Sequence, residues 1–268
     1  MRAIGSVIAI LVVTGAAFAQ DMPLKDILIE GESWKPFFKD CKSIAGLAVA
    51  PDGDLYLSDS ESKTTVAVSS EGKLAGVRQD SVAARMLAIF LSTGGAKACH
   101  AKSKDFRWYD TLRADGAIQQ RRGDSEPQKI ADGLKEPVGL VLWPDEGTLV
   151  VSELHGRYLW TYRVEKDGSL TCKDKYYTLR KPSGNTELTV GTMTVDDAGR
   201  LYCATSIGVQ VFDPTGRMSG VLTAPKDAAC THVALGGEKG STLFVACGNE
   251  VFARQIKGKG VPWKEKSK

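Results

Sequence analysis

The sequence predicts an all-β fold, a β-propeller of four-stranded antiparallel blades, and three observations carry the prediction. Short apolar runs rich in β-branched and aromatic residues recur along the chain, split by turns such as Asp52-Gly53, Asp115-Gly116, Asp167-Gly168 and Gly236-Gly237. The runs come in sets: an apolar run, an acidic Gly turn, a second apolar run, a polar corner, an alternating third run and another Gly turn. The sets return at spacings of about 41 to 53 residues, the period of propeller blades. One such meander cannot bury both of its faces, so the sets must pack on each other, and radial stacking achieves this.

The chain opens with Arg2, an uncharged run from Ala3 to Ala19, and the small-x-small site Ala17-Phe18-Ala19 before Gln20. This is the pattern of a secretory signal peptide, so residues 1–19 are expected to be cleaved and the mature protein to be secreted or periplasmic. A membrane anchor would need about 20 strongly apolar residues, and Gly and Thr interrupt this run. No later stretch is built to span a bilayer. About 248 residues remain, enough for one large β domain over 20–258, followed by a basic tail over 259–268.

Ile27-Leu28-Ile29 and Trp34–Phe38 supply a lead-in strand, expected to complete the final sheet and close the ring. The first repeat holds Ile44–Gly53, Leu55–Asp59 and Thr65–Val68 before the turn Glu71-Gly72. The second reads Met86–Leu91, Ala98–His100 and Phe106–Tyr109 before Asp115-Gly116. Asp80–Leu91 is the one stretch that passes for a helix. A polar stretch, Gln119–Gln128, interrupts. The two clearest repeats follow, Pro137–Glu153 with His155–Val164, and Val190–Thr205 with Gly208–Gly216. The last is Thr231–Gly237, Thr242–Cys247 and Val251–Arg254. Five repeats are countable.

With 35 basic and 32 acidic residues the chain is nearly neutral. The tail Lys257–Lys268 is locally basic but reads as a solvated end, so nucleic acid is excluded as a partner class. None of the six cysteines forms a Cys-x-x-Cys pair, which removes zinc-ribbon and thioredoxin readings. Cys230 and Cys247 face each other across the Gly236–Ser241 turn, and an exported protein permits a disulfide there. Small buried thiols fit all six equally well. No Gly-x-Ser-x-Gly, His-Glu-x-x-His or Gly-rich phosphate loop is present.

Several phrases carry a family resemblance: Ala50–Asp59, Trp143-Pro144-Asp145 with Val150–Glu153, Met193–Tyr202, Gly208–Gly216, Gly236-Gly237 with Thr242–Ala246, and the opening Ile29–Trp34. In order and spacing they resemble the SMP-30/gluconolactonase/LRE-like family, especially its exported bacterial members. The resemblance implies a six-bladed ring, with one repeat missing here between the second and third copies, or five blades. It also implies hydrolysis of sugar lactones or related esters at a divalent cation in the central channel. Calcium-like ions take six to eight oxygen ligands and zinc takes fewer donors, and either can polarise a carbonyl or activate water.

The family's ligands are a Glu in Glu-Gly-Pro, an Asn in Pro-Asn-Gly and an Asp in Asp-Gly-Met. Carried over by position, they fall on Ala45, Val138 and Gly191, and a substrate-contacting Asn falls on Met86. None of these side chains bears an oxygen, so no metal and no cofactor is expected. The candidates for a rebuilt site are Asp59, His100 and Glu153, expected with Thr205 at the ends of second strands, and His232, expected to open the innermost strand of the last repeat. The plainer reading is that Asp59 and Glu153 bond backbone N–H groups at strand corners, that the histidines are polar rim residues and that His155 is solvent-exposed. The sequence therefore reads as a member that binds a small molecule or protein at the central channel face without metal-dependent catalysis. The alternative is a lactone hydrolase using calcium or zinc in a rebuilt channel site.

Overall fold

The computed structural model describes residues 22–50, 53–76, 97–105, 107–123, 125–184 and 187–261, with the backbone alone for 97–102. The signal-peptide reading of 1–19, the helical pattern Asp80–Leu91, Met86 and most of the basic tail lie outside these residues. The rest is all-β. Among the described residues, five antiparallel sheets of four strands each form the blades of a propeller.

A short 3-10 turn, Leu24–Asp26, precedes β1 (Lys35–Phe38). The first blade is β2 (Ile44–Val49), β3 (Leu55–Asp59), β4 (Thr64–Val68) and β5 (Leu74–Gly76). The second is β6 (Lys97–Lys102), β7 (Arg107–Leu112), β8 (Ala117–Arg122) and β9 (Gln128–Ala131). The third is β10 (Pro137–Leu142), β11 (Thr148–Glu153), β12 (Tyr158–Val164) and β13 (Leu170–Thr178). The fourth is β14 (Val190–Val195), β15 (Leu201–Thr205), β16 (Gly208–Phe212) and β17 (Met218–Thr223). The fifth holds β18 (Cys230–Gly236), β19 (Thr242–Cys247) and β20 (Glu250–Gln255). Its fourth strand is β1, which pairs antiparallel with β20, so the lead-in segment closes the last sheet as expected. The first strand of each blade is innermost, and β6, β10, β14, β18 and β2 pack in succession around the axis.

Glycine-bearing turns join the strands because the chain must reverse within a few residues. Gly199 shows the requirement: its φ of 76° is a left-handed conformation, and its N–H returns to the Asp196 carbonyl at 3.0 Å. The core lies in slabs between neighbouring blades. Tyr202, Val209 and Val211 of the fourth blade meet Val233, Leu243 and Val245 of the fifth. Phe212 and Leu201 meet Leu159 and Val150, and Tyr109 and Ile118 meet Leu140 and Leu149. Burying both faces of each sheet is what a lone meander could not do.

Two sequence expectations need correction. The second blade is displaced by one strand from its reading. Ala98–His100 belongs to the innermost strand β6 and not to the second, and the supposed interruption Gln119–Gln128 contains most of β8 and the start of β9. Polar residues hid β8: Gln119 is buried because its amide donates to the Asp110 carboxylate at 3.0 Å, and no hydrophobic alternation marks it. The gap between the second and third blades is only residues 132–136, so no repeat stands there, in line with the repeat read as missing at that place. The tail also differs from a solvated end. Lys257 donates its N–H to the Ile27 carbonyl, the Lys259 carbonyl accepts from Asp197 N–H, and Gly260 donates its N–H to the Gly240 carbonyl, each at 2.8 Å. Lys257–Val261 is thus a strap laid across the fourth and fifth blades.

Candidate functional site

The candidate site is the end of the channel at which the inner strands begin. Every inner strand slips register there, between Ile44 and Gly46, Lys97 and His100, Pro137 and Gly139, Val190 and Met193, and Cys230 and His232. Such a bulge sets extra residues against the partner strand and re-aims a side chain. Ala45, Val138 and Gly191 each stand on one of these bulges, as does Thr231 in the fifth blade. The three positions where the resemblance expects metal ligands are therefore structurally equivalent. They carry a methyl group, an isopropyl group and a hydrogen.

Among the described residues, the side chains at this end do not fit a divalent ion. Among the described residues, no group of three His, Cys, Asp or Glu side chains is placed to hold one. Two hydroxyls at this end are engaged: Thr192 Oγ1 accepts from Val233 N–H at 3.1 Å, and Ser152 Oγ donates to the Gly191 carbonyl at 2.9 Å. At Gly191 the obstacle is steric. A Cβ there would run into the Thr231 carbonyl oxygen, with the carbonyl carbon 2.6 Å away and its Cα 3.0 Å away. A Cβ on Gly139 would meet the Ser152 hydroxyl, with the Gly191 carbonyl at 2.8 Å. The inner strands approach so closely because these two positions lack side chains. Serine 58, opposite Gly46 as Ser152 is opposite Gly139, is buried with its hydroxyl unpartnered among the described residues.

The predicted carboxylates do another job. Asp59 ends β3 opposite Ile44. It accepts Lys42 N–H at 2.9 Å on one oxygen, and Glu61 and Ser62 N–H at 2.9 and 3.3 Å on the other. Burial pushes its pKa up, but backbone N–H groups of Lys42, Ser62, Glu61 and Ser43 outweigh that and hold the carboxyl below its usual range. Glu153 ends β11 opposite Pro137 and accepts Lys135 N–H at 2.5 Å. Each carboxylate thus grips the chain two residues ahead of an inner strand. In the fourth blade the Ser206 hydroxyl accepts Thr189 N–H at 3.2 Å, while Thr205 Oγ1 turns back to the Gly208 carbonyl at 2.7 Å. In the fifth, Cys230 and Cys247 are directly opposed, 4.3 Å apart at Cα, and form a disulfide. Carboxylate, hydroxyl and disulfide are three versions of one clamp. Among the other cysteines described with side chains, Cys41 and Cys203 are buried and Cys172 is exposed.

His232 stands near the start of β18, the innermost strand of the last blade, and is partly buried. Its Nδ1 lies 2.9 Å from Thr231 Oγ1. Desolvation among the inner strands holds its pKa down to about 4, against the opposing effect of a backbone hydrogen bond at Ala45. The imidazole is therefore neutral near pH 7, with one donor and one acceptor nitrogen. His100 is not beside Asp59 and Glu153 at a second-strand end, because it lies on β6 opposite Asp110. His155 sits in its corner, partly exposed, with Nδ1 3.4 Å from Glu187. Asp59, Glu153 and His232 do not converge into one acid–base cluster. The plainer sequence reading, that Asp59 and Glu153 bond backbone N–H groups, is what these contacts show; sequence reasoning missed the bulges, for which the one available signal was the recurrence of small residues at 45–46, 138–139 and 191.

Comparisons with known proteins agree with this architecture. The profile of the family described as SMP-30/Gluconolactonase/LRE-like region matches residues 45–249. A gluconolactonase of Zymomonas mobilis subsp. mobilis is 25% identical over 234 residues, covering 79% of this chain. The chain spans only 63% of that relative's length. Among solved structures, a structural-genomics target assigned to the gluconolactonases superposes with a TM-score of 0.72 at 15% identity, covering 90% of this chain and 97% of that one. A luciferin-regenerating enzyme gives 0.67 at 12% identity, with 87% and 98% covered. A gluconolactonase of Xanthomonas campestris gives 0.61 at 15%, with 87% and 92% covered. At these identities the structural likeness establishes the fold.

Proposed function

Because the chain belongs to the SMP-30/gluconolactonase/LRE-like family of β-propellers, we propose that it is an exported member that binds a ligand at the bulge end of its channel without metal-dependent catalysis. One observation carries this reading. The bulges that aim side chains into the channel are present, yet they bear Ala45, Val138 and Gly191, and a carboxylate at 191 is blocked by the Thr231 backbone. An ion that needs several oxygen donors would meet hydrocarbon there. The neutral imidazole of His232 and the Thr231 hydroxyl are what the rim offers instead, and both suit hydrogen bonding to a small molecule or to a protein loop.

The test is calorimetric titration of the purified mature chain with calcium and with zinc, followed by a hydrolysis screen on gluconolactone with and without chelator. Neither ion should bind stoichiometrically, and lactone loss should match the buffer rate in both arms. Chelator-sensitive hydrolysis would overturn the reading. Export is tested by sequencing the N-terminus of protein recovered outside the cytoplasm, where cleavage after Ala19 is expected. Full-length protein retained in the cytoplasm would remove that part.

The position of His232 favours a second reading, a gluconolactonase-type hydrolase with a rebuilt channel site. It has a neutral base in the channel, and the Zymomonas relative bears that activity's name. The hydrolysis screen separates the two readings: this one requires turnover that falls in a His232→Ala variant.

A further inference from the structure

A cleft of about 300 Å³ lies at the opposite end of the inner strands from the bulges. Three elements build it: the end of β2 and its turn at Val49, Ala50 and Gly53, the β18–β19 turn from Leu235 to Gly240, and the strap at Lys259–Val261. The strap is a fixed wall. Lys259 donates its N–H to Asp197 Oδ1 at 3.3 Å and gives its carbonyl to Asp197 N–H at 2.8 Å, and Gly260 N–H reaches the Gly240 carbonyl at 2.8 Å. Behind it, Gly258 packs against the buried Asp196 carboxylate, which accepts from Arg200 Nε at 2.6 Å and Tyr202 OH at 3.0 Å. A side chain at 258 would displace that pair, so the strap's path is set by glycine and by a buried ion pair.

The chemistry of the cleft is two-sided. Val49, Ala50, Leu235 and Val261 give it an apolar surface, and Val261 is 44% exposed. Glu238, Lys239 and Lys259 stand at its margin, all exposed. Neither lysine ammonium has an ion-pair or hydrogen-bond partner among the described residues, whereas Lys226 and Lys35 on the same blade are paired with Glu250 and Glu32. Among the described lining residues, with Glu238 counted, the margin carries a net charge of one positive.

We propose that this cleft is a second ligand site and that it takes a small amphiphilic carboxylate, apolar body inward and carboxylate between Lys239 and Lys259. A single positive charge is balanced by a monoanion, whereas a doubly charged phosphate would leave the margin negative. The volume lies at the small end of ligand pockets, which suits a small ligand. The site is separate from the bulge end, so it does not depend on what the channel binds.

The experiment uses the mature chain and three probes of equal length: octanoate, 1-octanol and octylammonium. Titration should show octanoate binding at least tenfold more tightly than either of the others, with affinity falling as salt rises. The exchange Lys239→Glu with Lys259→Glu should cost octanoate tenfold or more and leave 1-octanol unchanged. Lys259→Glu alone should give an intermediate loss, and both lysines are exposed, so folding is checked from the same samples by thermal melting. Equal affinity for octanoate and 1-octanol, insensitivity to salt, or octanoate binding that survives the double exchange would each refute the site.

Discussion

Gly191→Ala is the sharpest test of the channel geometry. The added carbon would stand 2.6 Å from the Thr231 carbonyl carbon and 3.0 Å from its Cα, and would overlap the carbonyl oxygen. Relaxed carbon contacts lie at about 3.5–4.0 Å, so β14 and β18 would have to part by roughly 1 Å. Forcing an extra methyl group into a packed site typically costs about 1–3 kcal/mol. Here the obstacle is backbone, and the residue before Thr231 is tied by the Cys230–Cys247 disulfide, so the upper end of that range is expected. For a chain of this size about 1 kcal/mol moves Tm by roughly 2–4 °C, which gives a fall of about 6–12 °C. Urea and thermal melts of wild type and variant measure it directly. Gly191→Asp should be at least as damaging, and added calcium should not restore it. A Gly191→Ala protein within about 1 kcal/mol of wild type, or a Gly191→Asp protein rescued by calcium, would show that this bulge can hold a ligand.

Two further outcomes follow from the same end of the ring. His232 has a folded-state pKa of about 4 against 6.5 when free, so the native chain stays neutral while the unfolded chain takes up a proton as pH falls below 6.5. The stability at stake is present above that value and is lost as pH falls toward 4. Linkage puts the loss between pH 7 and pH 5 at about 2 kcal/mol, which a His232→Gln variant should not show. A constant stability difference between the two proteins across that range would contradict the lowered pKa of this imidazole. The clamps should behave as structural parts: Asp59→Ala should cost about 1–2 kcal/mol in urea melts, as for a lost cap. Reducing the Cys230–Cys247 bridge, with its separation of 17 residues, should cost about 3 kcal/mol.

The repeat structure was plain in the sequence because Asp-Gly turns and alternating apolar runs are local signals. Val150–Glu153 and Leu201–Thr205 could be placed as second strands for that reason, and β1 could be assigned to the last sheet. The second blade was not, since Gln119 is buried by a bond to Asp110 and resembles a loop residue until its partner is known. Bulges are invisible for a different reason: Ala45 is displaced only relative to the register of β3, a property of two strands together. That Asp59 bonds backbone N–H groups was legible from its place at a strand corner; which ones, Lys42 among them, was not. Gly-Lys-Gly at 258–260 looks like a solvated end and becomes a strap only because Asp196 and Asp197 wait beneath it.

The fifth sheet joins the two ends of the chain: Arg254 reaches the Glu32 carbonyl at 2.7 Å across 222 positions of sequence. The last sheet cannot gain its fourth strand until β20 has been synthesised. Until then β1 has no strand to pair with, and the first four blades form an arc without the fifth. Ring closure is therefore a late, all-or-nothing step with high contact order, and a chain shortened by even one strand at either terminus would expose the edge that β1 and β20 cover for each other.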